Sequence, residues 1–431
     1  GRMNTRLYNA RILTMQDNCE IIEGEIQITD DKISYVGKSL SDEEIAKSGI
    51  EFDVNRDCKG NVLMPSFKDA HTHSAMTGMR SYADDMPLWE WLSTKIFPLE
   101  AKLTAEDMYE FVRLANLEYL TSGITASFDM YFELDDYVKA CTEMGFRSVL
   151  CGSVNGDESS AERLEGYYLK YNGIDPLISF RLGFHAEYTT GEGLLKDLAA
   201  LAGEYHAPVY AHVSETAKEV EECYQRYQKS PVKLLHDLGM WNYGGGGFHC
   251  VHVSEEDMDI IKEQKVYVVT NPASNMKLAS GIAPITDMLE KGISLAIGTD
   301  GPASNNCLDM FREMFLVTGL AKLRQKDAAA CPADQVLYMA AVGGAHAMGL
   351  TDCDSIEAGK QADLIVIDLH QPNMQPEHNL IKNLVYSGSK QNVKLTMVAG
   401  KILYEDQKFY VGEEPESIYQ RVDELVEKMK K

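Results

Sequence analysis

His71-Thr72-His73 stands at the end of the apolar run Val62-Leu63-Met64-Pro65-Ser66-Phe67. Side chains along an extended segment alternate faces with period 2, so both imidazoles point the same way and can reach one ion. Two ligands do not make a site. A divalent metal with hydrolytic chemistry takes about three or four protein ligands and keeps a position for water. Further candidates stand in Ala211-His212-Val213-Ser214-Glu215, Phe248-His249-Cys250-Val251-His252 and Gly298-Thr299-Asp300-Gly301. Neutral imidazoles with one carboxylate suit zinc or iron, so His71, His73, His212 and Asp300 are the expected ligands. Such an ion lowers the pKa of bound water towards about 7. Asp300 has a second oxygen to take the water proton. Glu215, three residues past His212, is placed to shuttle a proton to the leaving side of a substrate. His249 can hydrogen-bond the hydroxide or a developing oxyanion, whereas His252, an odd number of positions further on, faces the other way and reads as structural.

Other metal motifs are excluded. His185-Ala186-Glu187 fits the His-x-Glu of cytidine-type zinc deaminases, but no Pro-Cys-x-x-Cys follows it. A His-Glu-x-x-His helix is missing as well, which speaks against a metallopeptidase. The cysteines at 20 positions or more from one another in most cases (19, 58, 141, 151, 223, 250, 307, 331 and 353) form no Cys-x-x-Cys pair. They read as reduced thiols of a cytoplasmic protein, neither a disulfide framework nor a thiolate zinc cluster.

Strand ends must bring these residues together. About 290 residues repeat an apolar strand followed by an amphipathic helix, with strands expected at 62–71, 123–130, 146–154, 178–187, 207–214, 246–253, 265–271 and 293–300. Helical spacing of apolar residues lies between them, for example over Ala105 to Leu120 and Gly191 to Tyr205. Such alternation predicts a (β/α)8 TIM-like barrel over 62–359, whose catalytic groups gather at the carboxyl ends of the strands. An open doubly wound sheet would need a Gly-x-Gly-x-x-Gly after a strand, and none occurs. Gly244 to Gly247 precedes a strand and reads as a flexible turn. Short β-type runs at Leu7 to Met15, Glu25 to Ile28 and Lys32 to Val36, and again at Ala362 to Asp368 and Leu395 to Leu403, predict a small β-sandwich built from both chain ends, 1–61 and 360–431. A charged helix over about Glu416 to Lys430 closes the chain.

At 431 residues, 45% hydrophobic and 25% charged, the composition is that of a soluble globular protein. A net charge of −25 repels nucleic acid and anionic membranes and speaks against either as a partner. No apolar stretch approaches the roughly 18 residues of a membrane span, and no signal peptide precedes Met3.

Taken together, Pro65-x-Phe67-x-Asp69-Ala70-His71-Thr72-His73, the His212/Glu215 pair, His249-Cys250-Val251-His252 and Gly298-Thr299-Asp300-Gly301 resemble the amidohydrolase superfamily. More narrowly the chain is similar to the deaminases of 5′-methylthioadenosine and S-adenosylhomocysteine. That similarity runs through Ala83-Asp84-Asp85-Met86-Pro87-Leu88-x-Glu90-Trp91-Leu92, Asn271-Pro272-Ala273-Ser274-Asn275-Met276-Lys277-Leu278-Ala279-Ser280-Gly281 and Ala303-Ser304-Asn305-Asn306. The resemblance implies one divalent metal ion per subunit, zinc with iron or manganese as alternatives. It implies water attack at C6 of an adenosine-type nucleoside (5′-methylthioadenosine, S-adenosylhomocysteine, 5′-deoxyadenosine or adenosine) and release of ammonia. It also implies that Glu100 holds the ribose hydroxyls, that His185 and Arg163 contact the nucleoside, and that the chain forms a homo-oligomer, a dimer or tetramer. The pattern departs at Ser66 and Pro302, where glycine and alanine are usual. Leu150-Cys151-Gly152-Ser153 lacks an arginine that some relatives use for the amino-acid carboxylate of S-adenosylhomocysteine. Two other readings stand beside this one. The first is a deaminase or dehalogenating hydrolase of a free purine base or s-triazine, such as guanine, 8-oxoguanine or melamine, to which a ribose-binding Glu100 would be useless. The second is a non-catalytic assembly protein, which would be expected to have lost ligands.

Overall fold

The computed structural model describes residues 1–131, 134–156 and 161–431. Eight parallel strands run in sequence order around a nearly closed barrel: β1 (Phe67–Thr72), β2 (Ile124–Met130), β3 (Arg147–Cys151), β4 (Ile178–Ala186), β5 (Val209–Val213), β6 (Gly245–His249), β7 (Val266–Thr270) and β8 (Leu295–Ile297). The helices between them bury one apolar face each on the outside of the strands, as in Glu192–Tyr205, which turns Leu195, Leu198, Leu201 and Ala202 inward. The ring is completed between its first and last strands, where the amide of Asp300 donates to the carbonyl of His71 at 2.9 Å. Gly298 permits this approach, since a Cβ there would lie 2.6 Å from the backbone nitrogen of His71.

A separate nine-stranded sheet, mostly antiparallel, takes strands from both chain ends. Its inner face joins Leu7, Ile12, Ile26, Leu63, Val366 and Leu395 in a core of its own. The C-terminal helix, Pro415–Met429, buries Ile418, Val422, Leu425 and Met429. It lies on the helix Ala105–Thr121, to which Arg421 is tied by a 2.8 Å bond to Glu110. Among the described residues no helix is long and apolar enough to cross a membrane. All nine cysteines are free thiols.

Three expectations are corrected. The expected strand 62–71 is two strands: Val62–Pro65 lies in the small sheet, parallel to Asn4–Leu13 and antiparallel to Leu364–Ile367, and β1 begins only at Phe67. The chain changes sheets at Ser66, whose amide donates to the carbonyl of Asp363 at 3.1 Å while that of Phe67 donates to Gly123 at 2.9 Å. Both halves are wholly buried, so the apolar run carries no periodicity that marks the change. Gly244 to Gly247 is no flexible turn, because Gly245 to Gly247 open strand β6. A Cβ on Gly245 would lie 1.9 Å from the carbonyl of Val209, and one on Gly246 2.6 Å from the Tyr210 ring, so glycine here makes room for the neighbouring strand. Leu395 to Leu403 is a hairpin of Val393–Val398 and Lys401–Glu405, turned at Ala399 and Gly400, with φ of 47° and 79°.

A buried ion pair joins sheet and barrel. Arg147, at the start of β3, meets Asp363 through Nε at 2.8 Å and Nη2 at 3.0 Å. The amide of Ala399 adds a donor to the same carboxylate at 2.8 Å. Burial works against the charge of Asp363, but Arg147 outweighs it and holds the carboxyl below its usual range. Removing one partner strands the other charge in the interior. Asp363→Ala should therefore lower unfolding free energy by about 3–5 kcal/mol in urea titrations. Because the native carboxyl has the lower pKa, the pair's contribution is full above the unfolded value, about 3.9, and is lost as pH falls through the lower native one.

Candidate metal centre and active site

Four strand ends deliver the expected residues to one point. His71 comes from β1 and His73 from the residue just after it, His212 from β5, His249 from the last position of β6, and Asp300 from the turn beyond β8. Oδ1 of Asp300 lies 3.4 Å from Nε2 of both His71 and His73, and Oδ2 lies 3.5 Å from Nε2 of His249. The rings of His71 and His212 stand 4.8 Å apart, centre to centre, and those of His73 and His212 stack at 5.6 Å. One quartet of ligand atoms, all within 4.8 Å of one another, comes from His71, His212, His249 and Asp300. Geometry thus draws His249, expected only to hydrogen-bond, as close in as the expected ligands, with His73 beside it on the Asp300 carboxylate.

The outer ring nitrogens of His73, His212 and His249 are committed elsewhere. Nδ1 of His73 donates to the carbonyl of Met130 at 2.8 Å, and Nδ1 of His212 to that of His185 at 2.7 Å. Nδ1 of His249 pairs with the side-chain oxygen of Asn275 at 2.7 Å. These bonds leave Nε2 of each ring as a bare lone pair aimed at the centre. Nε2 of His71 and of His249 are buried with no hydrogen-bond partner. Burial pushes the pKa of His71 down to about 3 and, with the neighbouring imidazoles, that of His212 well below its ordinary value. Burial also opposes the charge of Asp300, but the surrounding His71, His249 and His73 outweigh it and hold the carboxyl well below its usual range. Lone pairs and a carboxylate facing one another without protons between them repel unless a cation shares them. This donor set fits a divalent ion of the zinc type.

Supporting groups reach the centre from segments outside the four strand ends. Ser274 donates to Oδ2 of Asp300 at 2.7 Å and the amide of Gly301 to Oδ1 at 2.9 Å. Glu219 accepts from the amides of Ser214 at 2.7 Å and Glu215 at 3.1 Å, which fixes the turn that aims Glu215. Ser214, His249 and Asp300 all have positive φ, of 50°, 77° and 59°, unusual for residues other than glycine. Asn275 and Ser274 stand within a quoted sequence motif, but nothing in their types or spacing announced these bonds. The carbonyls of Met130 and His185 leave no mark in a sequence at all.

Glu215 is buried with Oε1 3.5 Å from Nε2 of His249. Burial first, and the Asp300 charge second, raise its pKa well above the ordinary value. A cavity of about 730 Å³ extends outward from this point, and Glu100, Arg163 and His185 all line it. Glu100 ends the short helix Phe97–Glu100 on the long segment after β1, and burial raises its pKa to about 7. His185 holds Thr189 through Nδ1 at 2.9 Å, and burial lowers its pKa to about 4. Arg163 is largely exposed at the rim, with Nε donating to the Tyr167 hydroxyl at 2.7 Å. Leu88, Trp91, Leu92, Phe97 and Tyr188 make much of the wall apolar. His252 stays outside, bonded to the Ser280 carbonyl at 2.6 Å, and Glu187 is engaged by Arg226 at 2.7 Å.

A barrel with imidazoles and an aspartate at its carboxyl end agrees with the comparison by family. Residues 62–403 match the amidohydrolase family, and the chain belongs to it. A 5-methylthioadenosine/S-adenosylhomocysteine deaminase of Thermoanaerobacter pseudethanolicus is 42% identical over 415 residues, with 94% of each chain covered. A 5′-deoxyadenosine deaminase of Methanosarcina acetivorans is 39% identical, covering 96% of this chain and 95% of its own. An adenosine deaminase from Xanthomonas campestris, solved with bound zinc, superposes with a TM-score of 0.91 at 29% identity over 99% of both chains.

His71 is completely buried and its Nε2 has no bond within the protein, so a metal is its natural partner. Metal analysis should find about one ion per wild-type chain and little or none in His71→Ala purified the same way. Undiminished metal in the variant would remove His71 from the ligand set.

Proposed function

We propose that the chain is a metal-dependent aminohydrolase that converts the 6-amino group of 5′-modified adenosines to the inosine-type oxo group and releases ammonia. One observation carries the reading: the polar centre and the carboxylate of Glu100 line a single cavity, to whose wall Leu88, Trp91, Leu92 and Phe97 add apolar surface. An adenine ring suits such a wall, and a carboxylate suits two ribose hydroxyl donors. The relatives named for deamination of 5′-methylthioadenosine, S-adenosylhomocysteine and 5′-deoxyadenosine, and the adenosine deaminase similar in structure, support the same chemistry.

His71, His73, His212 and Asp300 would hold one divalent ion, zinc first and iron or manganese after it, which when bound makes a nucleophilic water available at neutral pH. His249 lies between Asp300 and Glu215, where it can orient the attacking water. Asp300 is ionised and takes a proton from that water. Glu215, in which burial favours the protonated form, gives a proton to the ring nitrogen beside C6 as the C6 carbon becomes tetrahedral. The proton taken up by Asp300 then goes to the amine, the carbon–nitrogen bond breaks as ammonia leaves, and the remaining hydroxyl proton returns to Glu215 as the oxo group forms. Glu100 and His185 hold the nucleoside, with Arg163 at the rim. A cytoplasmic, symmetric dimer or tetramer is the form we propose for it; the free thiols and the prevalence of symmetric oligomers support that choice.

The rival reading, a hydrolase of free purines or triazines, leaves Glu100 without a partner. A substrate panel decides between them: 5′-methylthioadenosine and 5′-deoxyadenosine should release ammonia faster than adenine, guanine or melamine, and the reverse order would overturn the nucleoside assignment. Glu215→Gln should keep its metal and lose about 10²-fold or more in kcat; retained turnover would take Glu215 out of the mechanism. Glu100 can accept from two hydroxyls through both of its oxygens only as the carboxylate, and burial puts its pKa at about 7. KM for nucleosides should therefore rise as pH falls through about 7, and Glu100→Gln should flatten that dependence while raising KM at alkaline pH. A KM that does not change with pH between 6 and about 8 in the wild type would contradict a carboxylate role.

A further inference from the structure

Three sequence segments noted for their motifs supply no metal ligand: Ala83 to Leu92, Asn271 to Gly281 and Ala303 to Asn306. They follow β1, β7 and β8, and they meet at one side chain. Nζ of Lys277, the last residue of helix Pro272–Lys277, donates to Oδ1 of Asp84 and to Oδ1 of Asn306. Asn306, with φ of 72°, in turn donates from Nδ2 to the Ser81 hydroxyl at 2.7 Å. Arg80 donates to the Asn306 carbonyl and, at 2.6 Å, to Glu118.

Asp84 leads into the three short helices Leu88–Trp91, Leu92–Ile96 and Phe97–Glu100. This stretch provides Leu88, Trp91, Leu92, Phe97 and Glu100 to the cavity. Its other hydrogen bonds are internal, such as those from Ser93 to the Trp89 carbonyl and Thr94 to the Glu90 carbonyl. Among the described residues, the Asp84 carboxylate on Lys277 is the one side-chain hydrogen bond that ties residues 82–103 to another segment. The other end of the tie is firm. The helix that ends in Lys277 also supplies Ser274 to Asp300 and Asn275 to His249. One rigid piece therefore touches the metal-binding groups on one side and the substrate-covering segment on the other.

We infer that Lys277 is a positioning residue: through Asp84 and Asn306 it latches the segment after β1 over the cavity, and so sets where Glu100 stands relative to the reacting centre. This rests on the nucleoside reading for its kinetic consequence, but not for the latch itself. Both charged groups are about a quarter exposed, 25% for Lys277 and 28% for Asp84, so salt weakens the tie without abolishing it.

The test pairs Lys277→Met with Asp84→Asn, which cut the same tie from opposite sides. Each should raise KM for 5′-methylthioadenosine about tenfold, the scale of one lost charge-assisted bond, with kcat within about threefold and metal content unchanged. The double variant should be no worse than either single one. Added salt should raise KM in the wild type and not in the variants. Hydrogen exchange supplies a readout that needs no substrate: amides of residues 82–103 should exchange faster in both variants, with those of the barrel strands unaltered. Unchanged exchange in that segment, additive effects on KM, or a loss confined to kcat would each overturn the latch. A wild type that releases no ammonia from any nucleoside defeats the proposed activity alone, because the exchange result still decides the latch.

Discussion

The structure depends on one constraint: several atoms that carry lone pairs, and a carboxylate among them, are held face to face in a buried cluster. Nε2 of His71 and of His73 lie 3.4 Å from an Asp300 oxygen, with each outer nitrogen of His73, His212 and His249 already bonded outward. Left to itself such a cluster would relax by swinging its rings apart or by taking up protons, and burial opposes the second. The fold must therefore prevent the first. A cation shared by these groups converts a mutual repulsion into the interaction that the barrel's carboxyl end is built around.

Preventing that relaxation is the work of groups that never touch the ion. The segment from Asp69 to Ser74 is pinned along its length: Asp69 accepts from the amide and hydroxyl of Thr299 at 2.9 and 2.6 Å, Thr72 bonds the Tyr119 hydroxyl at 2.7 Å, and Asp129 accepts from the Ser74 amide at 2.7 Å. Glu313 does the same on the far side, with oxygens on the Ala273 amide at 3.2 Å and on Asn305 at 2.6 Å. Burying so many carboxyl groups is costly, and each is offset by two or more donors. The left-handed backbone at Ser214, His249 and Asp300 belongs to the same account. Strand geometry alone would carry the side chains on along the sheet, and a turn in that region redirects each to the barrel axis.

Legibility in the sequence followed physical type. His71, His73, His212, His249, Asp300 and Glu215 could be read because imidazole and carboxylate at the end of an apolar run have few other uses, and because a barrel brings strand ends together whatever the helices between them contain. The alternation of strand and helix was readable for the same reason, since burial writes its periodicity into residue type. What failed to show were choices between equally apolar partners. Val62 to Thr72 is buried throughout, so its division between two sheets lies in the hydrogen bonds of Ser66 and Phe67, which any residue could make. The glycines at 245 and 246 serve Val209 and Tyr210, contacts about 35 residues away that composition does not encode. Carbonyl acceptors such as those of Met130 and His185 belong to every residue, so they could not be singled out.

The passage of the first strand out of the small sheet explains why that sheet exists beside the barrel. β1 brings His71 and leads directly to His73, yet its amino end would be an ordinary strand start, free to slip in register, and a slip of one residue would turn both imidazoles away from the axis. Val62–Pro65 removes that freedom, because it is paired on both sides within a different sheet before the chain reaches Ser66. The same junction holds the Arg147–Asp363 pair, which ties β3 to the strand next to Val62–Pro65. Register set outside the barrel is thereby carried into it, and the pair of histidines that a metal needs first is fixed by a sheet that contributes no ligand of its own.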